Sequence, residues 1–184
     1  GPNRVRCLEP LGYRSYKRFN LSRRLASALL TCLISLFAAP ANAAQPIVLD
    51  SVQDDYLFGL HVEYLKDEET TLTVDDVLKP EVAATFTPSE VETPNFGFTS
   101  SAYWFSFRFK NNQPKSVSRI IEIGYPLLDD IHFYQIHETG EREHIHTGDL
   151  QFFSERPVSH RNFILPVEIE AGEELHLLLR VQTS

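Results

Sequence analysis

From residue 45 onward, apolar residues recur in short alternating runs, and no stretch long enough for an amphipathic helix carries a 3.6-residue period. Polar and turn-forming residues separate the runs, which is the pattern of a sandwich or jelly roll. Strands are predicted over 47–52, 60–65, 103–110, 118–124, 130–137, 144–147, 162–167 and 174–182. The most regular is 103–110: Phe105, Phe107 and Phe109 share one face, and Trp104, Ser106, Arg108 and Lys110 share the other. Asn111-Asn112-Gln113-Pro114 closes it as a turn. In 130–137, Ile131, Phe133 and Gln135 oppose His132, Tyr134 and Ile136, and Glu138-Thr139-Gly140-Glu141 reads as a hairpin turn. One helical turn is predicted at 73–78, with Thr73 as N-cap, Asp75 and Asp76 in the first turn, and Pro80 as its stop. The Thr-, Pro- and Ser-rich stretch 80–101 is expected to loop over one end of the core. The expected fold is therefore all-β: a jelly-roll β-sandwich of about eight strands with one short helical connector.

Charge divides the chain in two. Residues 1–44 hold seven of the 17 Lys and Arg and one of the 25 Asp and Glu, which leaves residues 45–184 with a formal charge of −14. The first piece reads as a targeting region: basic Arg23-Arg24, an apolar stretch over 25–39, then Ala41-Asn42-Ala43 with small residues where a signal peptidase cuts. The apolar run stops at Pro40, short of the roughly 20 residues that span a bilayer. Gly1-Pro2, in a sequence without methionine, reads as the remnant of a cleaved tag. The expected organisation is a tag remnant and cleavable leader over 1–44, then one domain over 45–184. Both cysteines, Cys7 and Cys32, fall in the leader, so the domain has neither a disulfide nor a thiolate site. Its acidity disfavours nucleic acid and anionic lipid, and favours cations or neutral ligands.

Several residues carry candidate chemistry. Trp104 shares its strand face with Arg108, and an aromatic with a donor on an open sheet suits stacking on a sugar or an amino acid; the alternative is that Trp104 covers a second core. Tyr125 has the same ambiguity. Arg156, with His160 and Arg161, forms a cationic cluster able to hold a carboxylate, or alternatively to lock loops by pairing Arg156 with Asp129 or Asp149. Asp75-Asp76 and Asp129-Asp130 offer oxygen donors to a hard cation such as Ca2+, although their spacing is not that of an EF-hand and acidic pairs commonly just face water. His132, His137, His144 and His146 lie on or beside neighbouring strands. His144 and His146 share a face and supply half of a transition-metal site, or are simply exposed hairpin residues that respond to pH. No nucleophile elbow, Gly-rich phosphate loop or His-Glu-x-x-His motif is present, so catalysis is not expected.

Taken in order, Thr71-Leu72-Thr73-Val74-Asp75-Asp76-Val77, Asn95-Phe96-Gly97, Tyr103-Trp104-Phe105, Tyr125-Pro126-Leu127-Leu128-Asp129, Thr147-Gly148-Asp149, Arg156 and Phe163-Ile164-Leu165-Pro166 resemble one family. It is the type 2 extracellular domain of seven-transmembrane receptors with diverse intracellular signalling modules. The resemblance covers nearly all of 46–184 and implies a fold similar to carbohydrate-binding jelly rolls. It also implies a periplasmic location and a parent with seven membrane helices and a cytoplasmic histidine kinase or diguanylate cyclase. Arg156 matches a recurrent position of the family. The expected function is an extracytoplasmic sensor binding a small ligand: carbohydrate-like, carboxylate-bearing, or Ca2+. The ligand residues expected are Trp104, Arg108, Tyr125, Asp129, Arg156, His160 and Arg161; those for a metal are Asp75, Asp76, Asp129 and Asp130. The alternatives are a module that dimerises or docks on a periplasmic protein without a small ligand, and a carbohydrate-binding or carbohydrate-processing protein.

Overall fold

The computed structural model describes residues 44–49 and 58–183, all within one compact unit of the chain. The expected leader, apart from Ala44, and the end of the first predicted strand lie outside the described residues. Among the described residues the chain forms nine strands: β1 Ile47–Leu49, β2 Glu63–Asp67, β3 Thr87–Pro88, β4 Ala102–Asn111, β5 Val117–Ile123, β6 Asp130–Ile136, β7 Arg142–Thr147, β8 Phe163–Ile169 and β9 Glu174–Gln182. The all-β expectation holds, and the predicted strands recur with shifted ends; 60–65, for instance, begins as a 3₁₀ turn, Phe58–His61, before β2.

Seven strands make one sheet in the order β3-β2-β4-β9-β6-β7, with β1 running parallel to the end of β4 that β2 leaves free. The antiparallel pair β5-β8 makes a second sheet. It packs on one face of the large sheet, called here the inner face, where Phe107, Phe109, Ile131, Phe133, Leu175 and Leu177 meet Ile121, Phe163, Leu165, Val167 and Ile169. The period-2 alternation of β4 and β6 builds this core, because every second side chain reaches the same side. Buried Asn111 pins its end: the side-chain amide donates to the carbonyls of Lys115, Ile169 and Glu170, and its Oδ1 accepts from the Gln113 N–H.

The opposite, outer face is covered in part by two short helices, α1 Val74–Val77 and α2 Pro80–Ala83. Thr73 caps α1 as predicted, its hydroxyl accepting from the Asp76 N–H while the Asp76 carboxylate accepts from the Thr73 N–H. Pro80 was expected only to stop this turn. It instead opens α2 from the first helical position, where its missing N–H costs nothing, so the single connector is corrected to two helices. The chain then enters β3 rather than remaining a loop. Beneath the helices, Val77, Trp104 and Leu178 form a second apolar cluster with Leu65, Leu72, Val74, Leu78, Val82, Phe86, Tyr134 and Ile136.

The turn before β6 and the turn after β7 touch backbone to backbone. Asp149 N–H donates to the Leu128 carbonyl (2.7 Å) and Leu150 N–H to that of Asp129 (3.2 Å). Gly148 makes this approach at φ +146°, and a Cβ there would lie 2.1 Å from the Asp129 carbonyl oxygen.

Candidate functional site

Two regions gather polar groups around an apolar surface, one on each face of the large sheet. On the inner face the two-stranded sheet is too narrow to cover all of β4 and β9. A cleft of about 2100 Å³ remains between β5 and the segment 92–99. Tyr103, Phe105, Phe107, Leu179 and Val181 form its apolar floor, and Phe96 lies against Tyr103 with ring centroids 4.1 Å apart. The charged groups lining it are Glu92, Glu122, Asp129, Glu143, Asp149 and Glu168 against one cation, Arg119. Gln135 reaches in from β6, its amide donating to Glu143 Oε2. Tyr125, half exposed, stands at the rim. The cleft therefore offers aromatic surface, hydrogen-bonding groups and a negative potential.

On the outer face the strand register sets side chains in rows. Trp104, Arg180, His132 and His146 lie across β4, β9, β6 and β7, and Ser106, Leu178, Tyr134 and His144 form the next row. The rings stack nearly parallel: His132 on His146 at 4.2 Å, Tyr134 on His144 at 4.4 Å, and Trp104 on Tyr134 at 6.1 Å. Asp130 sits at the end of this ladder. Its Oδ1 is 2.7 Å from His146 Nε2, and its Oδ2 is 3.2 Å from His132 Nε2 and accepts from Arg180 at 2.8 Å. His132 Nδ1 is 3.0 Å from His144 Nε2.

Burial pushes the Asp130 carboxyl up, but the hydrogen bond from His146 and the charges of His132, His146 and Arg180 outweigh it and hold the group below its ordinary value. Burial drives His132 down against the pull of Asp130, and drives His144 down too. On the same face, His176 shares a hydrogen bond with Ser106 (2.9 Å), and burial, aided by Arg108, lowers its pKa to about 4.

The residues singled out from the sequence scatter over these surfaces. Trp104 is 1 % exposed beneath α1 and α2, and its Nε1 has no hydrogen-bond partner among the described residues, so the stacking role is corrected to a core role. Arg108 pairs with Glu174 (3.7 Å) on the outer face, away from the cleft. Arg156 lies over the rings of Phe163 and Phe153 and donates to the carbonyls of His160 and Arg161 at 3.0 and 2.9 Å. It locks its own loop, through carbonyls and rings rather than through Asp129 or Asp149. His160 takes part in that loop by accepting from the Asn162 N–H, and Arg161 supplies a carbonyl, so no convergent cationic cluster is formed. Of the seven ligand candidates, Tyr125 and Asp129 are the two that reach the cleft.

The four aspartates expected to hold a metal are not brought together. Asp75 pairs with Arg142, Asp76 belongs to the helix cap and to Lys79, Asp129 accepts from Thr183, and Asp130 joins the histidines. Among the described residues the one group of three or more convergent metal-ligand side chains is Asp130, His132 and His146, all within 4.8 Å.

A family model described as 7TMR-DISM extracellular 2 matches residues 59–184. No curated protein matches the chain.

Proposed function

We propose, for a chain that belongs to the 7TMR-DISM extracellular 2 family, that the domain senses a ligand held in the inner-face cleft. The family is an extracellular domain of seven-transmembrane receptors, which places the chain outside the cytoplasm as part of a membrane receptor. The observation that carries the reading is the partly exposed aromatic surface of Tyr103, Phe105 and Tyr125 in a cleft with an acidic rim. Its volume exceeds the roughly 300–1,000 Å³ of a small-molecule pocket, which suits an extended ligand. Six acids against one cation repel a carboxylate-bearing ligand and favour a neutral one, and aromatic faces with amide and carboxylate acceptors suit the alternating apolar and hydroxyl surfaces of a carbohydrate. Ligand binding would bias one of two conformations and pass that bias to a cytoplasmic output module, a histidine kinase or diguanylate cyclase. The domain itself has a binding role, not a catalytic one. Ca2+ remains a ligand to test, with the acidic rim as its attraction.

A panel of neutral oligosaccharides and Ca2+ tests the reading by thermal shift. A probe at 100 times its Kd stabilises by about 2.7 kcal/mol, which corresponds to a rise of about 9 °C in Tm for a domain of this size. The rise should disappear in Tyr125→Ala. A second reading has its own observation: Leu150, Phe152 and Phe153, on the segment between β7 and β8, are 76, 75 and 54 % exposed, as a protein-docking loop would be. No shift with any probe, together with concentration-dependent self-association lost on replacing these three residues, would favour that docking role.

A further inference from the structure

The polar end of the outer face lies across the sheet from the cleft, and its chemistry is different. Two imidazole Nε2 atoms converge on one carboxylate, from β6 and β7, held by a register that puts His132 directly opposite His146. Asp130 Oδ1 lies 2.7 Å from His146 Nε2 and Oδ2 lies 3.2 Å from His132 Nε2, and one ligand atom from each of the three residues lies within 4.8 Å of the others, on the scale of the roughly 3.3 Å edge of a coordination tetrahedron with metal–ligand bonds of about 2.0–2.1 Å. The groups behind them are placed as outer partners of a metal site. Arg180 holds one oxygen of Asp130, and His144 Nε2 can accept from His132 Nδ1, which leaves the His132 Nε2 lone pair directed at the cluster.

We propose that Asp130, His132 and His146 form a binding site for a transition-metal ion of the Zn2+ or Cu2+ class, with Arg180 and His144 orienting the ligands. Two nitrogen donors to one carboxylate match borderline metals and not Ca2+, which takes six to eight oxygens. Three protein ligands leave a coordination position for water or for a group from another molecule. The His132 and His146 rings are 5° from parallel, so their lone pairs run side by side, and one ring must turn for both to reach one ion. His146 has room to do so: its side chain is 40 % exposed on the edge strand, and the ring torsion of histidine is broad and soft. The inference is independent of what occupies the cleft.

The molecule carries its own reporter. Trp104, the only tryptophan in the sequence, stacks on Tyr134, whose ring lies 6.4 Å from that of His132, within range for quenching by bound Cu2+. In the full chain with Cys7→Ser and Cys32→Ser, which removes competing thiols, Cu2+ should quench Trp104 with one-to-one saturation. Co2+ should give visible d–d absorption at the same stoichiometry, and excess Ca2+ should compete with neither. His146→Gln, at an exposed edge position, should leave the protein folded and weaken binding at least about tenfold, with His144→Gln showing a smaller loss. His160→Gln, in the Arg156 loop and outside the cluster, should change nothing. Absence of saturable one-to-one binding in the unsubstituted cluster would overturn the proposal, as would binding that survives both His132→Gln and His146→Gln.

Discussion

The two faces of the large sheet carry the same alternation of the same strands and come to opposite ends. On the inner face, Phe105, Phe107 and Phe109 look like plain core, and Phe107 and Phe109 are, yet the two-stranded partner sheet leaves Phe105 half-buried beside a cleft. On the outer face, Trp104 looks like a surface platform, yet two four-residue helices seal it, while the histidine end of the face stays partly exposed. Alternation tells which side chains share a side. What covers that side depends on elements far away in sequence, so an aromatic is a contact or a core residue according to its lid.

That contrast can be broken at its strongest point. Trp104→Ala removes the centre of the outer cluster and should cost about 3–5 kcal/mol, read as a fall in the denaturation midpoint. A change below about 1 kcal/mol would mean that the helices do not seal Trp104.

A pH effect follows from the same face. His176 has a folded pKa of about 4 against 6.5 when unfolded, so between these values the unfolded chain binds a proton that the folded chain does not. Stability attributable to this group should be full above pH 6.5 and fall as pH drops towards 4, by up to about 3 kcal/mol. His176→Gln should flatten that acid limb in denaturation measured across pH, and an unchanged limb would remove His176 as its source.

Arg156→Ala should cost about 1–2 kcal/mol by freeing its loop carbonyls and ring contacts, and leave ligand-induced shifts intact. Loss of those shifts at unchanged stability would return Arg156 to the ligand role expected from sequence. The smallest change in stability, within about 0.5 kcal/mol, is expected for Tyr125→Ala at the half-exposed rim, where the loss should appear in binding alone.

The strands were legible because half-buried sheet residues alternate, and β4, β6 and β9 were read nearly to their ends. Helix α2 was missed because proline stops one helix and starts the next with the same ring. The histidine cluster was half visible: His144 and His146 were placed on one face, but Asp130 enters only through the β6–β7 register. Counting outward from the three-residue loop 138–140, centred on Thr139 and ending in Gly140 at φ +86°, pairs His132 with His146 and brings Asp130 to the same face, and this was the signal available for the rest of the cluster. The cleft could not be read at all, since it arises from a mismatch in width between two sheets. Motif residues such as Gly148 and Arg156 hold turns and loops in place, and their matching order in the sequence identified the family without marking the site.

Amide hydrogen exchange, read by mass spectrometry with and without a saturating neutral oligosaccharide from the thermal-shift panel, locates the ligand on one face of the sheet or the other. Protection is expected over residues 92–99 and 118–125 and none over 74–83 or 153–161, the outer-face helices and the Arg156 loop. Protection confined to these last two segments would contradict the proposed site and move the ligand off the inner face.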